Sequence, residues 1–206
     1  NIAYISIPNS ADLEFLLWDL QDAVAAYARL SGTSFPRPVD LGVNDGGNAA
    51  DGIVFAVDDA LHSETMAAVE QVFDCIEGVE TRIYVIVQAA YGSAEQAHVA
   101  VGRLREACER RGLSWCGGIV ACSGGGIAAL RRSPRMGLLR RPFSEATDKL
   151  VGAIRMGCSI ERAQLLGGGN AGSVDADGMV RAKPALPAPI WHAIIKHLGS
   201  RAQSNI

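Results

Sequence analysis

The chain has 206 residues, 49% apolar and 20% charged, with 22 acidic and 19 basic side chains for a net charge of −3. This composition excludes a disordered chain, and no apolar run approaches the roughly 18 residues that a membrane-spanning helix needs. The length suits one domain over 1–206 with its own core, the segment 160–206 forming a C-terminal extension.

Ile2–Ile7 reads as a first strand with no basic residues before it, so no secretory leader is expected. Pro8 and Asn9 turn the chain, and Asn9 or Ser10 can cap the helix that follows. Leu13, Leu16, Leu17, Leu20 and Val24 recur at helical spacing and carry that helix to about Leu30. Gly32–Gly47 is loop-like and holds only a short second strand around Pro38–Gly42.

Gly52–Val57 is a buried third strand running into Asp58, Asp59 and His62. Met66, Val69, Val72 and Phe73 then mark a helix, completing half of a βαβ unit. Arg82–Gln88 is a fourth strand. Ala97, Val101, Leu104 and Cys108 define the next helix, and Leu113–Cys122 a fifth strand interrupted by Gly117-Gly118. Ile127–Pro142 is basic and irregular, with room for a short helix. Phe143, Thr147, Leu150, Val151 and Ile154 mark the last long helix. Two turns (167–172 and 175–178), a Pro-rich stretch and a short helix at Ile190–Leu198 close the chain. Strands alternating with helices predict a parallel sheet covered on both faces.

Charge is unevenly spread: residues 1–80 hold 14 acids and 2 bases, residues 81–206 hold 8 acids and 17 bases. The arginines Arg131, Arg132, Arg135, Arg140 and Arg141 lack interleaved aromatics. They predict a solvated face or an anion or partner patch rather than a nucleic-acid surface. Five cysteines without a CxxC pair predict free, mostly buried thiols in a cytoplasmic protein, with Cys116 and Cys122 on one strand face. His192 and His197 are five apart, not the i, i+4 spacing of a metal pair, so no metal is assigned.

In open parallel sheets ligands sit at the carboxyl ends of the strands. Asp58 and Asp59 lie there, where paired carboxylates can push each other's pKa values apart for acid–base work. His62 is close enough in sequence to share that chemistry, and Tyr91 should face the same mouth. Turn formation and helix capping explain the same acids without chemistry. Ser123 and Gly124–Gly126 offer backbone N–H groups to an anion, or simply let helix and strand pack closely.

The ordered set Gly92, Glu95 and Gln96, then Gly112–Gly118 (GLSWCGG), then Gly124–Gly126, then Leu138–Gly157 (LLRRPFSEATDKLVGAIRMG) resembles the NAD(P)H-dependent FMN oxidoreductases of the flavodoxin-like fold. The resemblance runs from Asp51 to the C-terminus. It implies a flavodoxin-like doubly wound sandwich, a five-stranded parallel sheet of order 2-1-3-4-5 with helices on both faces, and a homodimer. It also implies FMN, with Asn9 and Ser10 in the phosphate loop Pro8–Leu13 and the ring flanked by Ala60 and Leu61 on one side. Ala89, Ala90, Tyr91 and Gly92 would flank it on the other. The expected activity is reduction of a small organic substrate by NAD(P)H.

The phosphate loop reads PNSADLE, without Gly and with Asp12 and Glu14 in the first helical turn. At about 5 Å and an effective dielectric near 20, each such charge would cost a phosphate dianion roughly 3 kcal/mol. A second reading follows: a relative that has lost FMN and uses the same cleft for acid–base chemistry by Asp58, Asp59 and His62, or for ligand binding.

Overall fold

The computed structural model describes residues 1–32, 35, 38, 50–76, 80–92, 94–168 and 173–203. Five strands form one all-parallel sheet: β1 (Ile2–Ile7), β2 (Gly52–Asp58), β3 (Arg82–Gln88), β4 (Ser114–Ala121) and β5 (Met179–Ala182). The helices are α1 (Ala11–Ser31), α2 (Ser63–Asp74), α3 (Ala94–Arg110), α4 (Arg141–Met156), α5 (Ile160–Leu166) and α6 (Ala188–Gln203), with a 3₁₀ turn at Ile127–Arg132. The arrangement is consistent with a flavodoxin-like fold. Ile53–Val57 and Ile83–Val87 are almost wholly buried because helices cover both sides of the sheet, which is why they read as unbroken apolar runs.

Two cores result. Leu13, Leu16, Leu20, Leu150 and Trp191, from α1, α4 and α6, pack on Val54, Ala56, Tyr84 and Ile86. Met66, Val69, Phe73, Val101 and Leu104, from α2 and α3, pack on Ile53, Phe55, Val85 and Val87. A right-handed crossover straight from β1 to β2 would put α1 beside α2. Instead α1 lies on the opposite face, as expected when the chain leaves β1 toward its outer edge. Ile2 makes a parallel bridge to Pro38 on that edge. The predicted strand around Pro38–Gly42 begins there, but residues 39–42 lie outside the described residues.

The strand order is corrected by the structure. The five described strands run in chain order, 1-2-3-4-5, rather than 2-1-3-4-5; the expected strands 1, 3, 4 and 5 are β1 to β4 and keep their expected adjacency, while the expected strand 2 lies largely outside the described residues. The addition is β5, which lies beside β4 between the turn 175–178 and the Pro-rich stretch, where the sequence predicts no strand. Its four residues, MVRA, are too few to show a period. Helix α5 was missed for the same reason, at seven residues. The connection from β4 to β5 crosses the α1 face, so it has the opposite hand to the crossovers through α2 and α3.

A second correction concerns the cysteines of β4. Ile83 pairs with Trp115 but Val85 with Gly118, so β4 carries one extra residue. The bulge reverses the in–out parity: Cys116 enters the α1-side core and Cys122 the α2-side core. Gly117, at φ 77°, sits where a Cβ would lie 2.1 Å from the Gly178 carbonyl oxygen, and a Cβ on Gly118 would lie 1.8 Å from that of Val85. Only glycines admit this approach.

All five cysteines are free. Burial pushes the Cys116 thiol up to about 11, the Cys108 thiol and the Tyr4 hydroxyl up to about 12. The unfolded chain ionises these groups at their ordinary values, 9.0 for thiols and 10.0 for tyrosine. Their stabilisation is therefore whole below pH 9 and is lost as pH climbs through 11 to 12. The thermal midpoint is expected to hold up to about pH 9 and then fall. Ellman titration of the native protein at pH 8 should find Cys75 fast, Cys158 slower, and Cys108, Cys116 and Cys122 silent until denaturant is added. Rapid modification of all five would contradict this burial.

The arginine-rich stretch turns inward as well as outward. Arg140, 3% exposed, and Arg135 both bond to the carboxylate of Asp19 on α1, itself 2% exposed. Arg135 also reaches Asp148 at 2.8 Å, and the Arg131 and Arg140 guanidinium groups lie over the Trp18 ring. Part of the charge asymmetry is thus spent on joining the acidic first helix to the basic second half. Among the described residues, no helix is long and apolar enough to cross a membrane.

Candidate functional site

The start of α1 after β1, the end of β3 and the turn after β4 meet at Asp12. Ser10 caps α1, its Oγ accepting from the Leu13 N–H at 3.3 Å, and this places Asp12 in the first turn, aimed at the loop after β4. Asp12 Oδ2 accepts from the Gly126 N–H at 2.7 Å and from Gln88 Nε2 at 3.1 Å, while Oδ1 accepts from the Ala128 N–H at 2.9 Å. Gln88, the last residue of β3, donates also to the Gly124 carbonyl at 3.1 Å. The N–H groups at the start of the 3₁₀ turn do hold an anion, as their glycine-rich sequence suggests. That anion belongs to the chain itself.

The predicted acids are engaged locally. Asp58 Oδ1 accepts from the Leu61 N–H at 3.0 Å, which folds Asp58–Leu61 into a turn and holds Leu61 at φ 37° with its side chain buried. Asp59 Oδ2 accepts from the Ala90 N–H at 3.0 Å and ties the loop after β2 to the loop after β3. His62 is exposed at the N-terminus of α2 and makes no capping bond with its side chain. The structure thus brings Asp58 and Asp59 to one edge in structural roles and leaves His62 at the surface.

Among the residues expected to flank a flavin, Ala60, Ala90 and Gly92 are exposed and Leu61 and Ala89 are buried. Asn9 is exposed and Ser10 is committed to its cap. The Tyr91 hydroxyl donates to the Leu186 carbonyl at 2.9 Å, and its ring lies 5.7 Å from that of His192. The segment after β5 therefore folds back over the loop after β3.

Helix α6 completes this edge and was not foreseen as part of a site. Trp191 is 1% exposed, and its indole N–H donates to the Ser123 carbonyl at 2.6 Å while its ring packs 5.9 Å from Phe143. Ile195 presses on Gly126, where a Cβ would lie 2.6 Å from Ile195 Cγ2 at a φ of 89°. Between α6, the start of α1 and the turn 125–129 lies a cleft of about 820 Å³, lined among others by Ser10, Asp12, His192 and Lys196. Asp58, Asp59, His62 and Tyr91 do not line it. The sequence signal for α6 was present, since His192, Ile195, Lys196 and Gly199 follow i, i+3, i+4, i+7 spacing. Nothing in that spacing says what the face meets.

No protein-family model matches this chain, and no curated protein is found to be similar to it. An FMN phosphate does not fit the residues present. In the loop expected to hold it, Pro8–Leu13, Ser10 is committed to its cap, Asp12 places a carboxylate that also fills the N–H groups of Gly126 and Ala128, and Glu14 adds a second negative charge in the same turn of α1. Among the described residues, no group of three or more His, Cys, Asp or Glu side chains is placed to hold a metal ion.

Proposed function

We propose that the protein is a flavin-independent α/β domain that binds a small molecule at the carboxyl edge of its sheet. The observation that carries this reading is the Asp12 carboxylate, which lies within the Pro8–Leu13 loop that an FMN phosphate would need and is fixed there by hydrogen bonds from the Gly126 and Ala128 N–H groups and from Gln88 Nε2. The cleft beside it is of a size typical of small-molecule sites. Acid–base chemistry by Asp58, Asp59 and His62 is less well supported, because none of the three reaches that cleft.

The flavin reductase reading is favoured by a different observation, the parallel sheet with its loops gathered at one edge. The homodimer and the use of NAD(P)H belong to that reading, and sedimentation of the purified chain tests the first. Five free thiols support a reducing compartment such as the cytoplasm. The colour of the protein separates the two readings. We expect a colourless preparation that gains no absorbance near ~450 nm after incubation with excess FMN and gel filtration. A yellow protein that keeps its colour through the column would overturn the flavin-independent reading.

A further inference from the structure

We infer that the cleft beside α6 takes a small carboxylate monoanion carrying a flat apolar body. The inference rests on the flavin-independent reading of this edge and adds the chemical class of its ligand. It starts from a count of donors and acceptors around the cleft. Asp12 is the carboxylate that lines it, and three of its about four acceptor positions are already taken by N–H groups, so it has little left to offer a donor-rich ligand.

Donors dominate. Lys196 lines the cleft from α6, is exposed, and forms no ion pair among the described residues. His192, one turn earlier on the same face, adds its ring. Ser10 already accepts through Oγ from Leu13, which leaves its O–H to donate. The start of α1 contributes the positive end of its dipole.

The rest of the lining fixes the shape. Gly125, Gly126 and Gly199 contribute no side chain, and Trp191 and Ile195 provide apolar wall, so a planar body fits better than a branched one. Charge selects the head group. A single negative charge meets Lys196 and the helix end favourably. Asp12 on the lining and Glu14 in the same turn of α1 repel a phosphate dianion twice as strongly as a monoanion, and among the described residues Lys196 is the one lysine or arginine on the lining to offset them.

The test is an amide NMR titration of the full chain with 2-naphthoate. Saturable shifts are expected at Gly125, Gly126 and Gly199. The exposed substitution Lys196→Met should weaken the affinity about tenfold, the ordinary worth of one charge-assisted hydrogen bond. The cation 2-naphthylmethylammonium, with the same ring and opposite charge, should produce no saturable shift. Absence of saturation by naphthoate, an equal response to the cation, or an unchanged affinity in Lys196→Met would each overturn the inference. FMN, titrated separately, addresses the underlying reading: saturable shifts at Gly126 and Ala128 would defeat flavin independence, whereas the naphthoate affinities alone decide the ligand class.

Discussion

Replacing Asp12 with Asn is expected to destabilise the protein by about 2–4 kcal/mol, far more than a half-buried acid in a first helical turn would suggest from the dipole alone. The carboxylate accepts three hydrogen bonds through two oxygens. An asparagine keeps one oxygen and turns an NH₂ toward the other set of donors. One N–H group then faces a donor, losing a charge-assisted bond and its solvation together. For a chain of this size the midpoint of thermal unfolding should fall by about 5–10 °C. Glu14→Gln is the control, since Glu14 is exposed in the same turn and contributes about 0.3–1 kcal/mol through the helix dipole alone. Equal losses in the two variants, followed by calorimetry, would show that Asp12 acts only through the dipole.

The second large effect is expected at Asp19. Its carboxylate is the shared acceptor for Arg135 and Arg140 and is reached by the Thr147 hydroxyl at 3.3 Å, all at the α1–α4 junction. Asp19→Ala would leave Arg140 buried with only the Ser133 carbonyl and the rings of Phe15 and Trp18 for company. Removing one partner of a buried pair costs about 3–5 kcal/mol, because the remaining charge is uncompensated. The double variant Asp19→Leu/Arg140→Met removes both charges and should recover much of that loss. Urea unfolding of the wild type, Asp19→Leu, Arg140→Met and the double variant measures this. If the double variant were destabilised by the sum of the singles, the two groups would not be coupled.

The contrast between these two acids shows what could be read before the structure. The apolar runs of β2 and β3 and the stripes of α1 to α4 announced themselves because each is set by local periodicity. The bulge in β4 did not, since an even spacing of six between Cys116 and Cys122 means one face only when pairing is regular. Strand β5 failed to register because four residues carry no period. At the site, both halves of the central contact were visible separately: Asp12 as an acid at a helix start, Gly124–Gly126 as N–H donors for an anion. That they satisfy each other depends on a contact across 114 residues, which no local pattern encodes. Asp58 and Asp59 drew attention for being paired at a strand end, yet the structure gives each a backbone N–H to hold. Lys196 and His192 were hidden because a helix face does not announce the cleft it borders.

Hydrogen exchange at the Gly126 and Ala128 amides, measured with and without excess FMN, tests the central claim most directly. Both amides should be protected in the wild type, exchange faster in Asp12→Asn, and be unaffected by FMN. Amides that exchange freely in the wild type and become protected only when FMN is added would show that the cradle is open to a flavin phosphate and that Asp12 does not fill it.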